Sequence, residues 1–186
     1  MNRLMNETSD VYLFSLIKNP ASKDKGFLQL MDTYKKPLYW HIRRLVVSHE
    51  DAEDILQETF INVYRFAGSF KGESSIYTWL YRIATNECTK HFRKNKNWLK
   101  NAELITDKML GDISGNDTEN SEVMLIKFQQ AIMRLPEKQR IVFNLRYYDE
   151  LSYQEIGQIL DSSVNTLKTN YHYACEKVRQ YLIEHA

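Results

Sequence analysis

The sequence predicts an all-α protein built from two small helical domains that a flexible acidic linker joins. Apolar residues recur at helical spacing along most of the chain, and no stretch shows the apolar–polar alternation of a half-buried strand. Six glycines and three prolines among 186 residues are too few for the many turns of an all-β chain. Apolar residues at 43% and charged residues at 26% are typical of a globular protein with a packed core.

The formal net charge of +1 hides three segments of different charge. Positions 1–100 carry 16 Lys and Arg against 11 Asp and Glu, a net charge of +5. Positions 101–124 carry one lysine against six acids, a net −5, and positions 125–186 carry eight bases against seven acids, a net +1. The middle segment is also rich in turn-forming Gly, Ser, Asn and Asp. We therefore predict a linker at 101–122 between domains at 1–100 and 123–186.

The first domain is predicted to contain about four helices, from the spacing of its apolar residues. Pro37 lies inside the second and is expected to kink or break it, because its ring removes a helical hydrogen bond. Ser48 is suited to cap the third helix, and either Ser74 or Ser75 is suited to cap the fourth. The apolar stripe predicted for the first helix consists of Val11, Phe14 and Ile17.

The third predicted helix carries an acidic outer face with one apolar residue on it. Such a face favours a protein-docking surface, since an exposed isoleucine needs a partner to cover it. The alternative is that the acids serve only the helix dipole and solubility, which explains the first turn but not the isoleucine. The apolar stripe predicted for this helix consists of Ala52, Ile55, Leu56, Phe60, Val63 and Tyr64. Spaced along the acidic face, away from that stripe, are Asp54, Glu58, Ile61 and Arg65.

The fourth predicted helix has the opposite character. Cations interleaved with aromatic and amide side chains suit single-stranded nucleic acid, whose phosphates need charge and whose unstacked bases need flat or hydrogen-bonding surfaces. A merely solvated face is the competing interpretation. The polar turn KGESS precedes the helix and could form a pocket wall. The outer residues are Arg82, Asn86, Thr89, Lys90 and Arg93.

The second domain contains the pattern of a helix-turn-helix, LSYQEIGQIL–DSS–VNTLKTNYHY. Gly157 is small where the two helices must cross closely, and Asp161 tolerates the left-handed conformation that such a turn needs. Short polar residues at the start of the second helix could approach base edges, and Lys168 suits a phosphate. A plain helical bundle with a polar surface is the alternative. The outer residues are Asn165, Thr166, Lys168, Thr169, His172 and Tyr173.

The sequence contains no pattern of catalytic or metal-binding residues. The histidines have no metal-ligand spacing, and no Ser/His/Asp arrangement or glycine-rich phosphate loop occurs. Cys88 and Cys175 lack the spacing of metal ligands or of a disulfide framework, which favours two free thiols in a reducing cytoplasm. No segment has the apolar length of a signal-peptide core or a membrane span. We therefore expect a cytoplasmic protein that is not an enzyme and has no cofactor or metal.

Two long segments of the sequence resemble one protein family, the bacterial sigma factors of the extracytoplasmic-function (ECF) group within the sigma-70 family. The resemblance is carried by DAEDILQETFINVYRFAGSFKGESSIYTWLYRIATN, which begins at Asp51, and by LPEKQRIVFNLRYYDELSYQEIGQIL, which begins at Leu135. It extends from Ser9 to Leu182 and places the linker where the family has it. It implies a subunit that binds core RNA polymerase and directs promoter recognition, DNA melting and transcription initiation.

The resemblance also assigns roles to residues. In this family the third helix docks on the clamp coiled coil of the polymerase β′ subunit, which corresponds to 54–67 here. The loop 68–75 and the fourth helix recognise the −10 element as a single strand. A flipped base is held by that loop, and Asn86 matches a residue implicated in holding it. The helix-turn-helix, 152–171, reads the −35 element as duplex and rests on the β flap. The implied core-polymerase contacts are Asp54, Gln57, Glu58, Ile61 and Arg65, the −10 contacts are Lys71, Ser74, Arg82, Asn86, Lys90 and Arg93, and the −35 contacts are Asn165, Thr166, Lys168, Thr169 and His172.

Several expectations accompany this resemblance. An anti-sigma factor is a frequent partner in the family, and no stable homo-oligomer is expected. The recognition helix departs from the family pattern at Asn170, Tyr173 and Cys175, where basic residues are frequent. A conventional helix-turn-helix regulator, acting without core polymerase, is the alternative function and would not need the 54–67 surface. Finally, the linker permits the two domains to close on each other in the free protein and to mask both DNA surfaces.

Overall fold

The computed structural model describes residues 7–70, 72–102, 104–106 and 120–185, and the regular secondary structure of these residues is entirely helical. The all-α prediction is therefore confirmed. The first domain consists of α1 (Glu7–Lys18), α2 (Lys23–Val46), α3 (His49–Phe66) and α4 (Ile76–Lys94), and the second of α5 (Asn120–Met133), α6 (Glu137–Tyr147), α7 (Tyr153–Leu160) and α8 (Val164–Glu184).

The predicted linker, 101–122, is only partly covered by the described residues. Positions 103 and 107–119 lie outside them. At its two ends the chain is helical, at 101–102 and 104–106 on one side and from the start of α5 on the other.

Serine caps begin helices in both domains. The hydroxyls of Ser48, Ser75, Ser152 and Ser163 each accept a hydrogen bond from the backbone N–H three residues further on, at 3.3, 3.1, 3.3 and 3.2 Å respectively. Each bond satisfies one of the amide groups that the first turn of a helix leaves without a partner. The predicted cap at Ser48 is confirmed, and of the two candidates for α4 it is Ser75, not Ser74, that caps the helix.

Two helix predictions need correction. Of the kink or break predicted at Pro37, the break is wrong, because α2 continues through the proline as one helix of 24 residues. Burial of Tyr34, Leu38 and other residues on both sides of the proline offsets the lost hydrogen bond. The stripe predicted for α1 was also partly wrong: Val11 is 69% exposed, and Leu13 is buried instead. Ile17 is buried and Phe14 packs at the edge of the core, as predicted, whereas Val11 lies on nearly the opposite side of the helix from Leu13.

One hydrophobic core extends through both domains. Ile141, Val142 and Leu145 of α6 and Ile156 of α7 are buried in the same cluster as the apolar faces of α2, α3 and α4. A smaller cluster lies within the second domain and comprises Ala131, Ile132, Leu135, Phe143, Ala174 and Val178. The two domains are therefore packed against each other, which is the closed arrangement that the linker permits.

The contact between α1 and α2 gives a testable prediction at Gly26. A Cβ at this position would lie 2.8 Å from Leu16 Cβ and 2.9 Å from the Ile17 backbone nitrogen. Overpacking costs about 1–3 kcal/mol, which outweighs the gain of about 0.5–1 kcal/mol that alanine brings to a helix, so we expect Gly26→Ala to lower the free energy of unfolding by roughly 0.5–2 kcal/mol. Urea unfolding followed by circular dichroism measures the change.

The control is Gly68→Ala, because a Cβ there meets no atom within 4 Å. It should leave the unfolding midpoint nearly unchanged. Equal stability of the two variants would contradict the close approach of α1 to α2.

Candidate nucleic-acid and polymerase interfaces

The outer face of α4 is exposed and basic. Arg82, Asn86, Lys90 and Arg93 are all exposed and follow one another at intervals of four, four and three residues, which places them along one side of the helix. The opposite side is buried through residues such as Cys88. The structure therefore brings these predicted −10 residues together. Ser74 lies half-buried in the preceding loop, and Lys71 lies outside the described residues.

Aromatic packing holds the loop between α3 and α4 in place. The ring of Phe70 is buried, stacks on Trp79 with 4.8 Å between ring centroids, and meets the edge of Phe14 at 4.9 Å. Gly72 follows with a backbone φ of 79°, a conformation that favours glycine. Trp79 therefore has a structural role, and the cations of α4 project from a helix whose start is firmly anchored.

A cavity of about 390 Å³ lies between α3 and the outer face of α4. Its lining includes Phe66, which is 53% exposed, together with Asn86 and Asn62. The Asn62 amide donates to Glu87 Oε1 at 3.0 Å, and Lys90 Nζ donates to the same oxygen at 2.7 Å. An aromatic ring, amide groups and cations around one cavity match what an unstacked base and its phosphate need.

Sequence reasoning missed the contribution of α3 to this cavity. Asn62 and Phe66 belong to a different helix from Asn86, and only the fold brings them together. One signal was available, since Phe66 is a large aromatic residue directly before the turn that starts with Ala67 and Gly68.

The outer face of α3 borders an apolar groove of about 490 Å³. Among the predicted core-polymerase residues, Gln57, Ile61 and Arg65 line it, and Ile61 is 42% exposed. Asp54 and Glu58 are exposed on the same helix without lining the groove. The remaining lining residues are Phe27, Met31, Lys35, Leu56, Phe60 and Tyr64. An apolar floor with a charged rim suits the apolar face of an amphipathic helix.

Tyr64 at the edge of this groove is held by charges from α2. Its hydroxyl donates to Asp24 Oδ1 at 3.0 Å, and Lys23 Nζ lies 3.9 Å from the centre of its ring. The hydrogen bond to Asp24 and the negative charge of that carboxylate raise the pKa of Tyr64 above its ordinary value. The sequence had placed Tyr64 in the buried stripe of α3, whereas the structure leaves its ring exposed beside the groove.

The helix-turn-helix forms as predicted. Asp161 adopts the left-handed conformation, with φ 49° and ψ 53°, between α7 and α8. A Cβ on Gly157 would lie 2.9 Å from the Ser162 carbonyl oxygen, so the crossing requires glycine. Leu167 is buried and packs α8 back onto α7. The predicted −35 residues are all exposed in the first turns of α8, and they are Asn165, Thr166, Lys168, Thr169 and His172.

The two predicted DNA-binding surfaces face each other across the domain contact. Arg82 Nε donates to the backbone carbonyl of Gln158 at 2.8 Å, and the Arg82 Nη2 group donates to the same oxygen. A cleft of about 620 Å³ has Arg82 and Asn86 on one wall and Asp161 and Thr166 on the other. The predicted residue roles gave no sign of this pairing.

Within the described residues, no group of three or more His, Cys, Asp or Glu side chains is placed to hold a metal ion. The same part of the chain contains no helix with the length and apolar character needed to cross a membrane.

The fold and these surfaces define a two-domain helical DNA-binding protein. Residues 30–97 match the family model of sigma-70 region 2, and residues 125–178 match that of sigma-70 region 4. The chain is 37% identical over 170 residues to the ECF RNA polymerase sigma factor SigW of Bacillus subtilis, covering 84% of this chain and 89% of that protein. It is 32% identical over 163 residues to the ECF RNA polymerase sigma-E factor of Escherichia coli, covering 83% and 85%.

The chain belongs to the ECF group of the sigma-70 family of RNA polymerase sigma factors, so the resemblance found in the sequence is confirmed. It is a sigma factor that directs promoter recognition together with core RNA polymerase. The alternative of a regulator that acts without core polymerase is thereby set aside.

Solved structures share the two-domain fold. The structure of CnrH in complex with the cytosolic domain of CnrY matches with a TM-score of 0.71 at 18% identity, covering 95% of this chain and 99% of that one. The sigma factor RpoE in complex with the anti-sigma factor NepR, from Bartonella quintana, matches with a TM-score of 0.65 at 22% identity, covering 85% and 97%.

Burial of Cys88 behind the outer face of α4 gives a second prediction. The Cys88 side chain has 0% exposure, and burial raises the pKa of its thiol well above the ordinary value. Since the thiolate is the reactive form, a disulfide reagent such as DTNB should modify Cys175 in the native protein and leave Cys88 untouched. Both thiols should react in urea.

The Cys175→Ser variant is the control and should show almost no native reaction. Rapid modification of Cys88 in that variant would mean that the inner face of α4 opens readily, and would contradict the packing described above.

Proposed function

We propose that the first domain of this sigma factor uses two separate faces, one for the polymerase and one for the promoter. The outer face of α4 holds the non-template strand of the −10 element, and the groove beside α3 binds the clamp coiled coil of the β′ subunit. The observation that carries this proposal is the alignment of Arg82, Asn86, Lys90 and Arg93 along one exposed face beside a cavity able to accept a base.

This cavity supports a role in promoter melting. Extruding a base from the stack costs a few kcal/mol. Stacking of the base on an aromatic ring such as Phe66 returns about 1–3 kcal/mol. Hydrogen bonds to the Asn86 and Asn62 amides, with phosphate contacts to Arg93, add to this. Contacts with residues of α3 and α4 together would thus offset the free-energy cost of keeping the base out of the stack.

The α3 groove supports polymerase docking for a different reason. A helix laid into it would cover the exposed part of Ile61 and the apolar floor formed by residues such as Phe27 and Leu56. The exposed carboxylates of Asp54 and Glu58 on the same helix would steer a basic partner and fix its orientation. Burial of apolar surface would then supply most of the affinity.

The second domain, which we assign to 123–186, reads the −35 element as duplex through the start of α8 and rests on the β flap. Lys168 is placed for a phosphate, and neighbouring amide and hydroxyl groups are placed for base edges. The first domain would comprise 1–100 and the linker 101–122. The protein works in the cytoplasm, without catalytic chemistry of its own. An anti-sigma factor is a proposed partner, since the solved relatives include a sigma factor bound to the anti-sigma factor NepR.

Polymerase docking is tested by Ile61→Asp. A carboxylate at this position would lose its water when a partner helix covers the apolar floor, and the apolar contact of Ile61 would be lost, so affinity for core polymerase should fall by at least about tenfold, and run-off transcription should fall with it. Co-elution with core polymerase and run-off transcription from a pool of promoter fragments measure the two effects. Val11→Asp is the matched control, because Val11 is an exposed aliphatic residue on α1. Unimpaired core binding by Ile61→Asp would contradict the role of the groove.

Strand recognition is tested by Asn86→Ala. Loss of a base contact worth about 1–3 kcal/mol should lower promoter-specific run-off transcription by roughly five- to a hundredfold, with core binding unchanged. Asn97→Ala, which removes an exposed amide beyond the end of α4, is the control and should have no effect. Normal transcription by Asn86→Ala would remove Asn86 from the −10 contacts.

A further inference from the structure

A buried carboxylate joins the two domains. Asp149, in the turn after α6, is only 3% exposed, and its Oδ1 accepts a hydrogen bond from Arg44 Nη2 at 2.6 Å. Its Oδ2 lies 2.7 Å from Nδ1 of the fully buried His41, whose Nε2 lies 3.0 Å from the Thr85 hydroxyl. A side chain of the second domain is thus bonded to α2 and, through His41, linked to α4.

The turn that carries Asp149 is held rigidly. The Asp149 N–H donates to the Asn144 carbonyl at 3.2 Å, and the Leu151 N–H donates to the Leu145 carbonyl at 3.1 Å. The Arg44 guanidinium also lies 4.8 Å from the centre of the Tyr148 ring. Asp149 is therefore presented to α2 in a fixed position, and no rotation of a flexible loop is needed to reach Arg44.

A second buried charge lies at the same contact. Arg140 of α6 is 2% exposed, and its guanidinium lies 4.4 Å and 5.1 Å from the ring centres of Trp98 and Phe92, which belong to the first domain. It also donates to the carbonyls of Met133 and Leu135 at 3.3 Å. Burial lowers the pKa of Arg140 to about 10, so the side chain is still charged at neutral pH.

The third contact between the domains is made by Arg82, one of the residues that we assign to the −10 strand. Arg82 donates to the carbonyl of Gln158, in the last turn of α7, where the helix end carries partial negative charge. Negative charge of the second domain thus occupies the place where a phosphate would bind the same guanidinium. Asn86, on the next turn of α4, faces Thr166 of the recognition helix across the cleft.

Closure of the two domains over both DNA surfaces was already considered from the sequence; we propose that the buried carboxylate of Asp149, bonded to His41 and Arg44, is the latch that holds the second domain over α4. This inference rests on the function proposed for the outer face of α4. In the closed form, Arg82 is bonded to α7 and the recognition helix faces α4, so neither DNA surface is fully available. Single-stranded DNA binds only to the open fraction, and the apparent affinity is lowered by that fraction.

The closed form leaves the polymerase groove accessible. All residues that line the groove come from α2 and α3, and the second domain contributes none of them. Core polymerase can therefore dock on the closed chain, and the domains separate afterwards. This order would prevent the free sigma factor from occupying DNA before it has a polymerase.

The test compares Asp149→Asn and Asp149→Lys with Glu176→Gln. The first variant removes the charge that His41 and Arg44 share, and the second places a like charge beside Arg44. Glu176 forms an exposed pair with Arg179 within α8, so its variant is the matched control. Small-angle scattering reports domain separation, anisotropy of a fluorescein-labelled random-sequence DNA single strand reports binding, and circular dichroism verifies helix content.

The proposal predicts that both Asp149 variants have a larger radius of gyration than the wild type. They should also bind the DNA strand at least about fivefold more tightly, with Asp149→Lys at or above Asp149→Asn and the control unchanged. An unchanged radius of gyration in both variants would show that Asp149 is not the latch.

Separation of the domains with no gain in DNA affinity would show that the second domain does not mask α4. Another outcome would show that the function proposed for the outer face of α4 is itself wrong. In that case the opened variants bind no single-stranded DNA, and Asn86→Ala also transcribes normally with core polymerase. That outcome overturns the masking role of the second domain while the domain separation seen by scattering stands.

Discussion

The contact between the two domains depends on burying charge without leaving it unpaired. A carboxylate or guanidinium withdrawn from water is tolerated only when charged or hydrogen-bonding groups surround it. Asp149 meets this condition only when His41 and Arg44 are beside it, and Arg140 is packed against aromatic rings of the first domain. These buried charges therefore favour one relative position of the two domains, in addition to stabilising the fold. Separating the domains would return these charges to water, which solvates them well, but it would also expose apolar residues such as Val142 and Ile156 that share the core of the first domain.

Helix α4 takes part both in the closed chain and in the proposed complex with promoter DNA. Its inner side, buried through residues such as Leu80 and Cys88, belongs to the core of the first domain. Its outer side carries the cations and amides that we assign to the promoter strand, and in the closed form it meets α7 instead. Since one face cannot contact both partners at once, domain opening and promoter recognition are coupled. The groove beside α3 lies outside this competition and remains free for the polymerase.

The features that could be predicted correctly from the sequence are local in the chain. A serine cap depends on a neighbour three residues away, and the helix-turn-helix depends on Gly157 and Asp161. The parts that it missed join distant positions, as in the pairs of Arg82 with Gln158 and of His41 with Asp149. Helical periodicity predicts which side of a helix is apolar, but it does not show which part of that side a neighbouring helix covers. Tyr64 was therefore predicted to be buried, although its ring is exposed. The roles of Asn86 and Thr166 can be inferred from their chemistry and family, and the linker indicates that the two DNA surfaces can meet, but the residues that pair across the cleft cannot be predicted.

The central claim is that the outer face of α4 has two alternative partners. Thr89 borders both the α3–α4 cavity and the interdomain cleft, so a photo-crosslinking p-benzoylphenylalanine introduced there reports which partner is present. In the free chain we predict a crosslink to the second domain. With core polymerase and promoter DNA, that crosslink should be replaced by one to the non-template strand. An undiminished crosslink to the second domain in the promoter complex, with none to DNA, would contradict the account.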